Sequence, residues 1–148
     1  YEKPLRIFAI NYKVGTLLPI GTKVIYLGTV KGRHPSFKFR TAEGLEFQLY
    51  LTEKFWPGVT LEMVKERLLT KASLEQLLSP YPADQQAAIK AAEVIPGMSR
   101  AAVRQSWGYP PSHVNPILEA PSYRYWYNRF RTIQVDFSAA GQVSEVRR

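Results

Sequence analysis

Residues 96–111, PGMSRAAVRQSWGYPP, leave room for a helix of two turns and no more. Pro96-Gly97 precedes it, and Gly108-Tyr109-Pro110-Pro111 closes it. Ser99 is placed to accept a hydrogen bond from one of the first helical amides, which have no acceptor inside the helix. Gly108 falls where a chain leaves a helix through positive φ, a conformation that a Cβ disfavours. Pro110 and Pro111 lack the N–H needed to resume the helix. Ala102, Val103, Ser106 and Trp107 lie on one side. So short a helix is stable only when such a side is docked. The segment therefore predicts a sheet for Val103 and Trp107 to rest on.

That sheet is expected next in the chain. SYRYWYNRF (122–130) is aromatic throughout, and RTIQVDF (131–137) alternates, with Ile133, Val135 and Phe137 inward. Ser138–Gly141 is a hairpin turn and QVSEVRR (142–148) a last strand. The intervening stretch, with Pro110, Pro111, Pro116 and Pro121, reads as an ordered excursion.

The N-terminal half has period-two patterning in 5–12, 23–30, 36–41 and 45–51. Lys31-Gly32 and Glu43-Gly44 supply turns. Leu45, Phe47, Leu49 and Leu51 are expected inward, and Glu46, Gln48 and Tyr50 outward. Short strands joined by tight turns favour a curled antiparallel sheet, with a small SH3-like barrel as the closed variant. The middle is helical. Thr60 can cap a helix with Leu61, Val64 and Leu68 on one stripe. Ser73 and Gln76 have capping-box spacing. Pro82 suits the first turn of a third helix, whose apolar stripe is Ala87, Ala88, Ala91 and Val94-Ile95. The expectation is an α+β chain: a curled antiparallel β module at 1–56, then helices packed on a small antiparallel sheet at 57–148.

A chain of 148 residues, 45% hydrophobic, can bury about 70% of its unfolded surface, enough for one core or two small ones. The absence of Cys excludes disulfides, thiolate metal sites and cysteine nucleophiles. His34 and His113 are the only histidines, and neither has ligand-spaced partners for zinc. No phosphate-cradling glycine loop and no Gly-x-Ser-x-Gly elbow occurs. A hydrolase would need a cleft bringing His113 to an acid, such as Asp84 or Asp136, and a hydroxyl. No catalytic residue, metal or cofactor is assigned. No apolar run approaches the ~20 residues of a membrane span.

Net charge is +8, and residues 3–40 hold eight Lys or Arg and no acid. Such a field favours anionic partners, though the same charges also serve as a solvated face. Lys23, Lys31, Arg33, Lys38 and Arg40 form a candidate anion-binding patch for lipid headgroups or envelope polymers. Tyr123, Arg124, Tyr125, Trp126, Tyr127 and Arg129 form a candidate partner-binding strand, since Tyr, Trp and Arg dominate interface energetics. Aromatics interleaved with Arg also stack on nucleic-acid bases. The structural alternative packs one face of this strand on a helix.

The order Ile95-Pro96-Gly97-Met98-Ser99, Val103, Gly108-Tyr109-Pro110, Tyr125-Trp126-Tyr127, Val135-Asp136-Phe137, Gly141-Gln142-Val143 resembles the BamE/SmpA–OmlA type of small bacterial envelope lipoprotein. β-Lactamase-inhibitor-protein-like domains share the same helix–turn–sheet plan. The resemblance covers residues 95–146, about a third of the chain. Trp107 stands where an aliphatic residue is usual, the proline-rich excursion is long, and no lipid-accepting Cys is present. The resemblance implies a non-catalytic protein of the periplasm or outer membrane that binds another protein in envelope assembly or stability. It also implies an export signal, with a lipid-bearing Cys or a cleavage site, upstream of Tyr1. Gly97, Ser99, Gly108 and Pro110 are fold-building positions within it. The alternative function is nucleic-acid binding by the basic sheet and the aromatic strand.

Overall fold

The turn residues cut the N-terminal half into β1 (Leu5–Phe8), β2 (Val24–Val30), β3 (Ser36–Thr41) and β4 (Glu46–Tyr50). The computed structural model describes residues 4–8, 18–128 and 130–148, so the expected continuation of the first strand over 9–12 lies outside the described residues. The strand order is β1-β4-β3-β2. The two hairpin pairs are antiparallel, but β1 lies parallel to β4. No hairpin joins β1 to β4, so nothing in the connection enforces the antiparallel direction. Among the described residues β1 and β2 stand at opposite edges, with no pairing that closes the sheet into a barrel.

Phe37, Phe39, Phe47 and Leu49 fill one face, with the Phe39 and Phe47 rings stacked at 5.2 Å. Helix α1 (Leu61–Leu68), capped by the Thr60 hydroxyl, lays Val64 on this face. Leu68 departs from the expected stripe and is exposed. Two positions on the last strand are also exchanged. Leu45 precedes the ladder and is exposed, whereas Gln48 is buried and donates to the Ser36 hydroxyl at 2.8 Å. The partner makes the burial of an amide tolerable. This first core runs past residue 56, because Val59, Leu61, Val64 and Leu69 all pack into it.

The second core holds α2 (Leu74–Leu78), α3 (Ala83–Lys90) and α4 (Arg100–Trp107) against β5 (Ser122–Trp126), β6 (Thr132–Phe137) and β7 (Val143–Arg147). The three strands are antiparallel in the order β5-β6-β7. Ser73 and Gln76 make both bonds of the capping box. Pro82 is the N-cap of α3 rather than part of its first turn. Of the expected stripe, Ala88, Val94 and Ile95 pack into the core, whereas Ala87 and Ala91 are exposed and Ile89 is buried instead.

Helix α4 behaves as its sequence requires. The Ser99 hydroxyl accepts from the Ala102 amide, Gly108 leaves with φ +80°, and Val103 and Trp107 are buried. The Gly108 ψ of −178° is extended, so the exit is a sharp redirection rather than a left-handed helical cap. The Trp107 ring meets Tyr125 edge-on at 5.4 Å, and its N–H donates to the Ala92 carbonyl at 2.9 Å. Ser106 donates to the next carbonyl, that of Glu93, at 2.6 Å.

Those two acceptors lie in the exit of α3, where the sequence carries no glycine. The Glu93 amide donates to the Ala88 carbonyl and the Ala92 amide to Ile89, the paired bonds that usually surround a left-handed glycine. Here the left-handed residue is Ala92, at φ +53°. Replacing Ala92 with Gly is expected to raise stability by about 1 kcal/mol in denaturant unfolding, because the Cβ strain disappears. Replacing Trp107 with Ala is expected to lower it by about 3–5 kcal/mol in the same measurement.

Candidate functional site

All five cations of the predicted anion patch lie on the β2–β3 hairpin. Lys23 adjoins the start of β2, and Lys31 and Arg33 occupy the turn. Arg40 sits opposite Ile25 and Lys38 opposite Gly28 across the ladder. Among the described residues none of the five forms an ion pair. The fold therefore places three of the charges at the ends of the edge strand β2 and two, Lys38 and Arg40, on its inner neighbour β3.

Strand β2 stands at the end of the strand order. Among the described residues, Val24–Val30 make backbone hydrogen bonds only to β3. Ile25 is 57% exposed, Leu27 40%, and Tyr26 and Val30 are exposed as well. Leu27 sits in a bulge between Tyr26 and Gly28, and Gly28 takes φ +105°. A bulge bends the edge and limits each straight run, which discourages indiscriminate stacking of copies. On the inner side the Lys65 ammonium lies 4.2 Å from the centre of the Tyr26 ring.

The aromatic strand is distributed differently. Tyr123 and Tyr125 are 0% and 2% exposed and pack beneath α4, so neither reaches a partner while the core is intact. Tyr123 is held by a bond from Arg104 and by its own donation to the Leu118 carbonyl, and Tyr125 donates to the Gly108 carbonyl. Burial pushes the Tyr123 phenol up in pKa, against the opposing pull of Arg104. β5 ends at Trp126. Arg124 and Tyr127 are exposed, Trp126 is half-buried, and Arg129 lies outside the described residues. The sequence pattern does not single out Phe130, which is 87% exposed at the hairpin tip.

The outer edge of β5 is closed by a side chain. Asn115, buried in the proline-rich excursion, accepts from the Arg124 amide at 2.7 Å and donates to the Arg124 carbonyl at 2.8 Å. A second donation, to Pro111, fixes its rotamer. One carboxamide thus supplies the pair of bonds a neighbouring strand would make. The start of β7 is covered likewise, by bonds with Gly97, Met98 and Ser99. Of these edges, β2 combines uncovered backbone with exposed apolar side chains.

His113, the one histidine of the hydrolase alternative, is a joint between modules. Its Nδ1 lies 3.0 Å from the Phe55 carbonyl, and its ring is stacked on Trp126 and edge-on to Phe55. Among the described residues no helix is long and apolar enough to cross a membrane. Comparison with known proteins finds no matching family model, no matching curated protein and no matching solved structure.

Asn115→Ala is expected to cost about 2 kcal/mol in chemical unfolding, since it orphans two backbone groups of Arg124. Hydrogen exchange at the Arg124 amide should accelerate in the same variant.

Proposed function

We propose that the chain is a non-catalytic binding module of the bacterial envelope that holds an extended, acid-flanked segment of a partner protein along β2. The observation that carries this reading is the β2 edge, which among the described residues is uncovered along its backbone and is apolar at Ile25, Leu27 and Val30. Lys23 stands at one end of it, and Lys31 and Arg33 at the other. An added strand satisfies the free backbone groups and buries alternate side chains. Carboxylates at its ends answer the cations.

A second copy of this chain fits the edge less well. Antiparallel self-pairing brings the Lys23 end of one strand to the Lys31–Arg33 end of the other, and like charges placed opposite each other destabilise a ladder. Nucleic acid is also disfavoured. Stacking successive bases needs a row of exposed aromatic faces, and burial of Tyr123 and Tyr125 removes that row from the aromatic strand, while the exposed Tyr26, Tyr127 and Phe130 lie on β2 and at the β5–β6 hairpin tip. The envelope as compartment, and assembly or stability of the envelope as setting, are supported by the resemblance of residues 95–146.

A short synthetic peptide of alternating Val and Thr, closed at both ends by paired Glu, tests the reading. Protection of the amides of residues 24–30 from hydrogen exchange is expected on titration, weakening as salt rises. Removing Lys23, Lys31 and Arg33 together should weaken binding about tenfold, at roughly 0.5 kcal/mol per exposed charge pair. Equal binding of a Lys-ended peptide, no protection at 24–30, or preference for a single-stranded oligonucleotide would overturn it.

A further inference from the structure

A second cationic arrangement lies away from the β2 hairpin, at the seam between the two cores. Tyr109 comes directly after the exit glycine of α4 and packs into the first core, among residues of α1 and the sheet. The Arg67 guanidinium, from the last turn of α1, stacks on the Tyr109 ring with its carbon 3.9 Å from the ring centre. The Arg104 guanidinium, from α4, lies 5.4 Å from the same centre. Two cations from different modules therefore converge on one tyrosine.

Neither guanidinium is neutralised. Among the described residues, the ion pairs are Lys65–Glu62 and Arg147–Asp136, and neither involves Arg67 or Arg104. Arg104 spends one N–H on the Tyr123 hydroxyl, at 2.7 Å, and that bond fixes its direction. Arg67 donates no hydrogen bond to a described group. A guanidinium carries five N–H donors, so most of those at the seam are uncommitted. The carboxylate of Glu119 acts on Tyr123 and forms no ion pair with Arg104.

One phenol adds to the donor set. The Tyr109 hydroxyl has no hydrogen-bond partner among the described residues and is not among the buried unsatisfied atoms, so it reaches solvent. Burial lowers the Arg67 pKa, Tyr109 opposes the shift, and the Arg104 charge adds a smaller downward push. A bound anion favours the charged guanidinium against both.

We propose that Arg67, Arg104 and Tyr109 form a binding site for a phosphate dianion at the seam between the two modules. Two guanidiniums match two negative charges, and their planar forks suit phosphate oxygens. The dianion is either free inorganic phosphate or the phosphate of a small monoester. Because Arg67 belongs to the first core and Arg104 to the second, occupancy ties the modules together and stabilises the whole chain.

Thermal unfolding of the full chain in inorganic phosphate, against chloride of equal ionic strength, is the test. A midpoint that rises with phosphate and then saturates is expected. Arg67→Gln should weaken apparent phosphate affinity about tenfold, the loss of one charge-assisted contact. Arg67→Lys should recover part of it. A variant lacking Lys31 and Arg33 should bind as the parent does. NMR of the parent provides a readout independent of any variant, with phosphate shifting the side-chain Nε–H signals of Arg67 and Arg104. Glycerol phosphate separates the sources: tighter binding than inorganic phosphate points to an ester, weaker binding to the free ion. A non-saturating rise, an equal rise in Arg67→Gln, or unmoved arginine signals would overturn the proposal.

Discussion

Trp107 is the residue on which the assembly of this chain turns. Its indole is buried against Tyr125, and its N–H finds the one carbonyl that a left-handed alanine exposes. A buried indole N–H without a partner costs about 1–3 kcal/mol, so the bond to Ala92 is a condition for using Trp there at all. The condition runs both ways. The α3 exit stays in a strained conformation because Ser106 and Trp107 hold its two carbonyls. Trp56 offers the contrast, since its indole nitrogen is buried without a partner among the described residues.

Docking of Trp107 also places the residues just beyond it. Gly108 redirects the backbone, and Tyr109 then enters the first core rather than the second. The exchange is reciprocal, for Ile20 from the N-terminal half packs into the second core. Ser112 and His113 extend the same joint through bonds to the carbonyls of Pro57 and Phe55. The two modules are thereby fastened by polar and aromatic contacts around 109–113, while the apolar packing of each is largely its own. Such a seam leaves room for uncompensated charge, which a continuous apolar interface would exclude.

Legibility in the sequence depends on the range of the interactions. The alternation of 36–41 and 45–51, the caps at Thr60, Ser73 and Ser99, and the bracketed α4 are local signals, and each appears in the structure. The failures are tertiary. Gln48 is buried because Ser36 lies beside it on the neighbouring strand, and Leu45 is exposed because the ladder begins after it. The direction of β1 is set by β4, far along the chain. The end of α3 at Ala92 carries no glycine signal, because the strain is supported by α4. The five cations of the hairpin are readable as a cluster since they are near in sequence. Arg67 and Arg104 are not, because only the packing of Tyr109 brings them to one ring.

The distribution of polar capacity over the sheet edges is what separates surface from scaffold here. Backbone groups at an edge must find water, a side chain or another strand. At β5 the chain spends a buried asparagine, with three hydrogen bonds, to close the edge from within. At the start of β7 it lays residues 97–99 alongside. At β2, among the described residues, it supplies neither, and instead sets a bulge, apolar side chains and five cations around the ladder. A merely solvated edge is served by polar side chains, as β7 shows with Ser144, Glu145 and Arg147 exposed. Ile25, Leu27 and Val30, exposed beside a ladder that among the described residues pairs only with β3, set β2 apart from the β5 edge and the start of β7, which the chain covers itself.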